Sequence, residues 1–180
     1  MKGTNRKTVD FSTIEWETVD KDKAEFFYRE ATAKLNSIHK NIDSITNKAI
    51  GMLSFSLPVL TALTGYFVLQ WGALSVPLIA ASVCSTALLF AILVLLLFIL
   101  LPMGLNSAQA GPKAYFQEGY YARSMEDIIK GNIQTLSRYI DEDMAVLYLR
   151  GNLFRMVIAL AAAFPVIVCT VWAIVSVCTG

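Results

Sequence analysis

The chain has 180 residues, 56 % of them hydrophobic, and its 15 basic and 14 acidic side chains nearly cancel to a formal net charge of +1. A mean hydropathy of +0.55 exceeds that of ordinary soluble domains, and the charge balance carries no overall bias towards nucleic acid or acidic lipid. Cys84, Cys169 and Cys178 lie in or beside apolar stretches rather than in spaced pairs, and the single histidine, His39, is remote from all three. Neither a disulfide framework nor a metal site is expected, and no cofactor.

The first predicted segment, residues 1–20, is a flexible N-terminus. No apolar run like the core of a signal peptide occurs ahead of Ala49, so the first apolar helix is expected to remain in the mature protein. Residues 21–48 form an amphipathic cytoplasmic helix. Ala31, Leu35, Ile38, Ile42, Ile45 and Ala49 recur at spacings of four, three, four, three and four, the period of a helix that packs along one seam. These six residues are the candidate assembly seam. Asp20 or Asp22 is placed to cap the start of the helix, with Glu25 complementing its dipole.

From Ala49 to Pro112 the chain runs without one Asp, Glu, Lys or Arg. Crossing about 30 Å of hydrocarbon takes roughly 20 apolar residues, so the stretch predicts a transmembrane hairpin over 49–101. The spans are placed at 49–69 and 76–101, with the turn at Gln70 to Ser75 and Pro77 in the first turn of the second helix. Along the first span Ser54, Pro58, Thr61 and Gly65 share one face at helical spacing. This face has two readings, close packing through small residues and a weakly polar pore lining formed by several subunits.

A linker over 102–119 contains Gly104, Gly111, Pro112 and Gly119. A second amphipathic cytoplasmic helix follows over 120–150, with Met125, Ile129, Ile133, Leu136, Ile140, Met144 and Leu147 on its apolar stripe. That stripe should pack against the first one or against copies in neighbouring subunits. A third transmembrane helix is predicted over 153–178, most of it in the uncharged run after Arg155. The expected fold is an all-α membrane protein whose three transmembrane helices stand on a stalk of two cytoplasmic helices.

Nine of the basic residues precede the first span and the other six lie between Lys113 and Arg155. Short basic segments stay in the cytoplasm, so the N-terminus should be inside and the C-terminus outside. Trp71 and Tyr66 suit an interfacial anchor near the outer turn. The two uncharged runs, 49–112 and the residues after Arg155, carry no Asp, Glu, Lys, Arg or His, which argues against an enzyme and against a proton path. Elsewhere the residues favour bland roles. His39 lies beside the seam and is expected to be solvated or interfacial. Asp141, Glu142 and Asp143 point in different directions around a helix, so a solvated face or an intersubunit salt bridge is expected of them. Arg150 and Arg155 are expected to snorkel to the headgroups. Phe26-Phe27-Tyr28, Tyr115-Phe116 and Tyr120-Tyr121 suit either the membrane surface or a subunit interface.

The segment from Ile42 to Leu53, with Lys-Ala-x-Gly-x-Leu at 48–53, the uncharged hairpin, the second amphipathic helix and Leu149-Arg150-Gly151-Asn152 before the last span together resemble the small transmembrane effectors of bacterial anti-phage defence, the Pycsar transmembrane effectors and SLATT proteins. The resemblance covers about residues 30–178. It implies a homo-oligomeric effector of the bacterial inner membrane, silent until infection, that permeabilises or depolarises the membrane and so causes abortive infection. Because Met1 to Glu30 is too short for a nucleotide-binding domain, a separate sensor protein or a nucleotide signal at a subunit interface would be the trigger. Membrane lipid is the other expected partner, and no direct nucleic acid is expected. The alternative is a non-enzymatic structural or adaptor subunit of a membrane complex.

Overall fold

A computed structural model describes residues 19–70, 72–106 and 123–179, and among these every regular element is helical. There are three such helices, α1 (Lys21–Leu69), α2 (Val76–Leu100) and α3 (Met125–Thr179). Each contains a stretch long and apolar enough to cross a membrane. Residues 1–18 of the flexible segment expected at 1–20, the Trp71 anchor, most of the 102–119 linker, the start of the second amphipathic helix at 120 and the aromatic pairs at 115–116 and 120–121 lie outside the described residues.

The helix starts follow from local side-chain chemistry. Lys23 N–H donates to Asp20 Oδ1 at 2.8 Å, which satisfies one of the free donors of the first turn of α1. That bond and then the Lys23 ammonium hold the Asp20 carboxyl below its usual value. At the start of α3, Asp127 N–H donates to Ser124 Oγ at 3.1 Å and Ser124 Oγ donates back to Asp127 Oδ2 at 2.7 Å, a reciprocal cap. Ser75, in extended backbone at φ −69° and ψ 153°, precedes α2, and Pro77 occupies its first turn, where a missing N–H costs nothing. Leu101 at its far end is again extended, as a residue before proline must be.

From Met125 on, the segments expected as 120–150 and 153–178 belong to one uninterrupted helix, α3, of 55 residues. The Leu149-Arg150-Gly151-Asn152 segment does not break it, because an isolated glycine only weakens a helix that packing supports. A Cβ on Gly151 would lie 3.9 Å from Ile45 Cδ1, so the glycine sits where α3 passes close to α1. Likewise 21–48 and 49–69 are parts of one helix, α1, of 49 residues. Pro58 and Pro165 lie inside α1 and α3.

The chain divides into two compact units, Met1–His39 with Leu105–Met144, and Lys40–Gly104 with Ala145–Gly180. In the first, Ala24, Leu35 and Ile38 of α1 and Ile133 and Leu136 of α3 are buried. In the second, the core is built from Ala49 of α1, Ile92, Leu96 and Ile99 of α2 and Val157 of α3. The burial pattern of α2 is regular: Ser82, Ser85, Leu89, Ile92, Leu96 and Ile99 are all buried, at alternating spacings of three and four, which is a packing seam. Ser85 Oγ donates to the Ala81 carbonyl at 2.8 Å, so its hydroxyl is buried but satisfied.

Gly131 gives the first stability prediction. It is exposed in the second turn of α3, and an added Cβ would meet nothing within 4 Å. Gly131→Ala should therefore stabilise the chain by about 0.5 to 1 kcal/mol through helix propensity alone. A raised unfolding midpoint in detergent is the expected readout, and a lowered one contradicts the open position.

Candidate functional site

The candidate assembly seam is covered by the chain's own residues. Leu35 and Ile38 in the first unit, and Ile42 and Ala49 in the second, are each 2 % exposed or less, while Ala31 and Ile45 are half-buried. Along the second stripe, Ile133 and Leu136 are buried, Ile129, Ile140, Met144 and Leu147 are half-buried and Met125 is exposed. Of the two arrangements open to these stripes, packing within one chain accounts for this burial, since an apolar stripe must be covered by something.

Polar groups sit beside these stripes. In the first unit, Asp143 is 1 % exposed. The His39 ring donates through Nε2 to Asp143 Oδ2 at 2.7 Å. Asn106 adds its backbone N–H, 3.3 Å from both carboxylate oxygens, and its side-chain Nδ2, 3.0 Å from Asp143 Oδ1. The same Nδ2 also donates to Glu142 Oε2 at 3.0 Å. Burying a carboxylate is tolerable only when donors replace water, and three donor groups do so here.

This corrects the expectation for Asp143. Asp141 and Glu142 are exposed as a solvated face requires, but Asp143 is turned inward and bonded within its own chain. The three consecutive residues do point in different directions, and that divergence carries one of them into the interior. Of the two roles expected of His39, solvated or interfacial, its half-burial and its bond to Asp143 fit the second.

In the second unit, Arg150 of α3 is 6 % exposed. Its NH1 donates to Thr46 Oγ1 at 2.9 Å and its NH2 to the Leu101 carbonyl at 3.0 Å. Its Nε is buried without a partner among the described residues. The guanidinium therefore joins α1 to the carbonyl end of α2, where unpaired carbonyls and the helix dipole favour a cation. Arg150 does not snorkel; of the two arginines, it is Arg155 that is exposed and able to do so. The reason is the neighbouring helix end, which offers Arg150 a carbonyl before it reaches solvent.

Ser54, Pro58, Thr61 and Gly65 are all exposed on α1. Ser54 Oγ donates to the Ile50 carbonyl and Thr61 Oγ1 to the Leu57 carbonyl, both at 2.9 Å. Bonding of this kind inside the helix lowers the cost of placing a hydroxyl in an apolar medium. A Cβ at Gly65 would meet nothing within 4 Å, so that flank of α1 is open to close approach by another helix. No group of three or more His, Cys, Asp or Glu side chains able to hold a metal occurs among the described residues, and Cys84, Cys169 and Cys178 are free thiols.

Sequence reasoning passed over the two polar clusters. Their signal lies in the spacing: His39 and Thr46 are seven residues apart beside the first stripe, and Asp143 and Arg150 are seven apart beside the second. Both hydrogen bonds, His39 to Asp143 and Arg150 to Thr46, join residues 104 apart. Heptad spacing of polar residues flanking an apolar seam is the pattern by which helices choose partner and register.

No family model, no curated protein and no solved structure matches the chain.

Proposed function

We propose that the chain is a non-enzymatic effector of the bacterial inner membrane, with its N-terminus in the cytoplasm and its C-terminus outside, which on a cytoplasmic signal assembles with copies of itself and permeabilises or depolarises the membrane in anti-phage defence. The observation that carries this reading is the exposed strip Ser54, Pro58, Thr61 and Gly65. Small, weakly polar residues gain little from lipid, but they let helix backbones approach closely and can line a narrow path once several copies meet. The distribution of basic residues supports the orientation, with all 15 in the N-terminal segment or between Lys113 and Arg155. Large apolar side chains such as Phe55, Val68, Val166 and Trp172 are exposed on α1 and α3, which suits lipid as solvent and would be costly in water.

Expression with the neighbouring genes of its host, in cells carrying a membrane-potential dye, tests the reading: phage challenge should collapse the potential before lysis. An unchanged potential would sink the mechanism. Gly65→Leu should abolish the collapse without destabilising the single chain, because the new side chain enters open space there and obstructs only an approaching helix. Retained depolarisation in that variant removes the strip from the mechanism.

The second reading, an adaptor or structural subunit, is favoured by the burial of Leu35, Ile38, Ile42 and Ala49 within one chain. A single copy then has no uncovered seam to satisfy. The mass of the purified chain in detergent separates the two: a closed oligomer of one polypeptide favours the effector, and a monomer that captures a different membrane complex favours the adaptor.

A further inference from the structure

The second unit carries two shallow recesses that share one side chain. The first, about 570 Å³, is lined by Lys40, Asp43, Ser44, Asn47 and Lys48 on α1. The second, about 450 Å³, continues from Lys48 along Gly51, Met52, Phe55 and Ser56 and is closed on the α3 side by Phe154. Hydroxyl, amide and ammonium groups thus give way at Lys48 to an apolar groove. Lys48 is also the last charged residue before the uncharged stretch. Neither Lys40 nor Lys48 has an ion-pair partner among the described residues. Arg155, next to Phe154, is exposed and likewise has no ion-pair partner among them.

We infer that these joined recesses bind one anionic phospholipid of the leaflet at the Lys48 end, with its phosphate at Lys48, its headgroup against Lys40, Ser44 and Asn47, and an acyl chain in the groove over Gly51. The inference rests on the reading that α1 crosses a membrane. The polar-to-apolar change along one helix face matches an amphiphile, and the two lysines outweigh Asp43, which selects an anionic headgroup over a zwitterionic one. Gly51 keeps the groove open, since a Cβ there meets nothing and a larger side chain would fill the space that the acyl chain takes.

Native mass spectrometry of the full chain, titrated with phosphatidylglycerol or phosphatidylcholine of identical acyl chains, tests the site. The parent should retain phosphatidylglycerol with a preference of roughly fivefold or more, the effect of one basic side chain near a lipid surface. Lys48→Gln should reduce that preference roughly fivefold, Asp43→Asn should raise it, and Gly51→Leu should weaken retention of both lipids. Lys34→Gln, exposed on α1 outside the recess, should change nothing. Equal retention of the two lipids by the parent, or an unchanged preference in Lys48→Gln, overturns the site. Displacement of the lipid by millimolar inorganic phosphate overturns it too, by reassigning the recess to a soluble anion. Carbonate extraction of cell membranes reports on the underlying reading separately: a chain released by carbonate removes the membrane-spanning interpretation, whereas a resistant chain without headgroup preference removes only the lipid site.

Discussion

Asp143→Ala should destabilise the chain by about 3 kcal/mol. The carboxylate is buried and accepts from the His39 ring, the Asn106 N–H and the Asn106 side chain. Removing it strands these donors where water reaches them poorly, and the full cost of desolvating them then falls on the folded state. Asp143→Asn retains the volume but turns an amide NH2 towards groups that are themselves donors, so it should recover only part of the loss. His39→Ala should cost less than either, because the Asn106 donors stay with the carboxylate and His39 is only half-buried. Reversible unfolding in detergent, followed by circular dichroism, checks the series. An Asp143→Ala variant within about 0.5 kcal/mol of the parent, a margin typical of surface substitutions, would mean that the cluster is not a structural joint.

Arg150 gives the second large expected effect, and a test of what kind of contribution it makes. Arg150→Ala should cost about 2 to 4 kcal/mol, since it opens a cavity and leaves the Leu101 carbonyl without its donor. Thr46 suffers less, because its hydroxyl also donates to the Ile42 carbonyl at 2.9 Å. Arg150→Met should cost markedly less than alanine. It fills most of the volume and removes a buried charge whose two hydrogen-bond partners are neutral and whose Nε has none among the described residues. Arg150→Lys should fall between them, because a compact ammonium has no planar fork to span the hydroxyl and the carbonyl together. If methionine proves as damaging as alanine, the cationic cap on α2 outweighs packing at this position. If all three match the parent, Arg150 is not a joint between helices.

Both residues bear on the proposed trigger. Each polar cluster ties segments that are distant in sequence, Asn106 and His39 to Asp143, Thr46 and Leu101 to Arg150. Hydrogen bonds of this kind are directional, so a small displacement breaks them where apolar contacts merely slide. Under the proposed function, a signal that rearranges the segments before the spans would act on such joints first. Variants that loosen them without unfolding the chain, Arg150→Met above all, are the ones in which depolarisation without phage would be looked for.

Much of the architecture was legible because the forces that set it are written locally. An uncharged run as long as that from Ala49 to Pro112 has few homes other than a membrane. The polar break at Gln70 to Ser75 with Pro77 after it marks a turn by its own chemistry, and α1 ends at Leu69 while α2 begins at Val76. The stripe through Leu35, Ile38 and Ile42 shows in the sequence because polar residues separate its members. Within α2 the same kind of seam is invisible. Ser82, Ser85, Leu89, Ile92, Leu96 and Ile99 are buried, with Ala81 and Leu93 beside them, but almost every residue around them is apolar as well, so periodicity has nothing to contrast against.

By itself, then, the sequence determined the helices of the described residues with three apolar segments long enough to span a membrane, the distribution of basic residues from which an orientation can be argued, and the lack of Asp, Glu, Lys, Arg or His in the uncharged runs. Composition and period suffice for these because each is a property of one helix in its solvent. Only the tertiary structure decided which face of α2 is buried, that Gly151 lies within a continuous α3, and that Asp143 and Arg150 are interior joints rather than solvated charges. A side chain's partner can lie far away along the chain, as His39 does from Asp143 and Thr46 from Arg150. Whether a charge is solvated or buried depends on what the folded neighbours offer it, and no local pattern of residues carries that information.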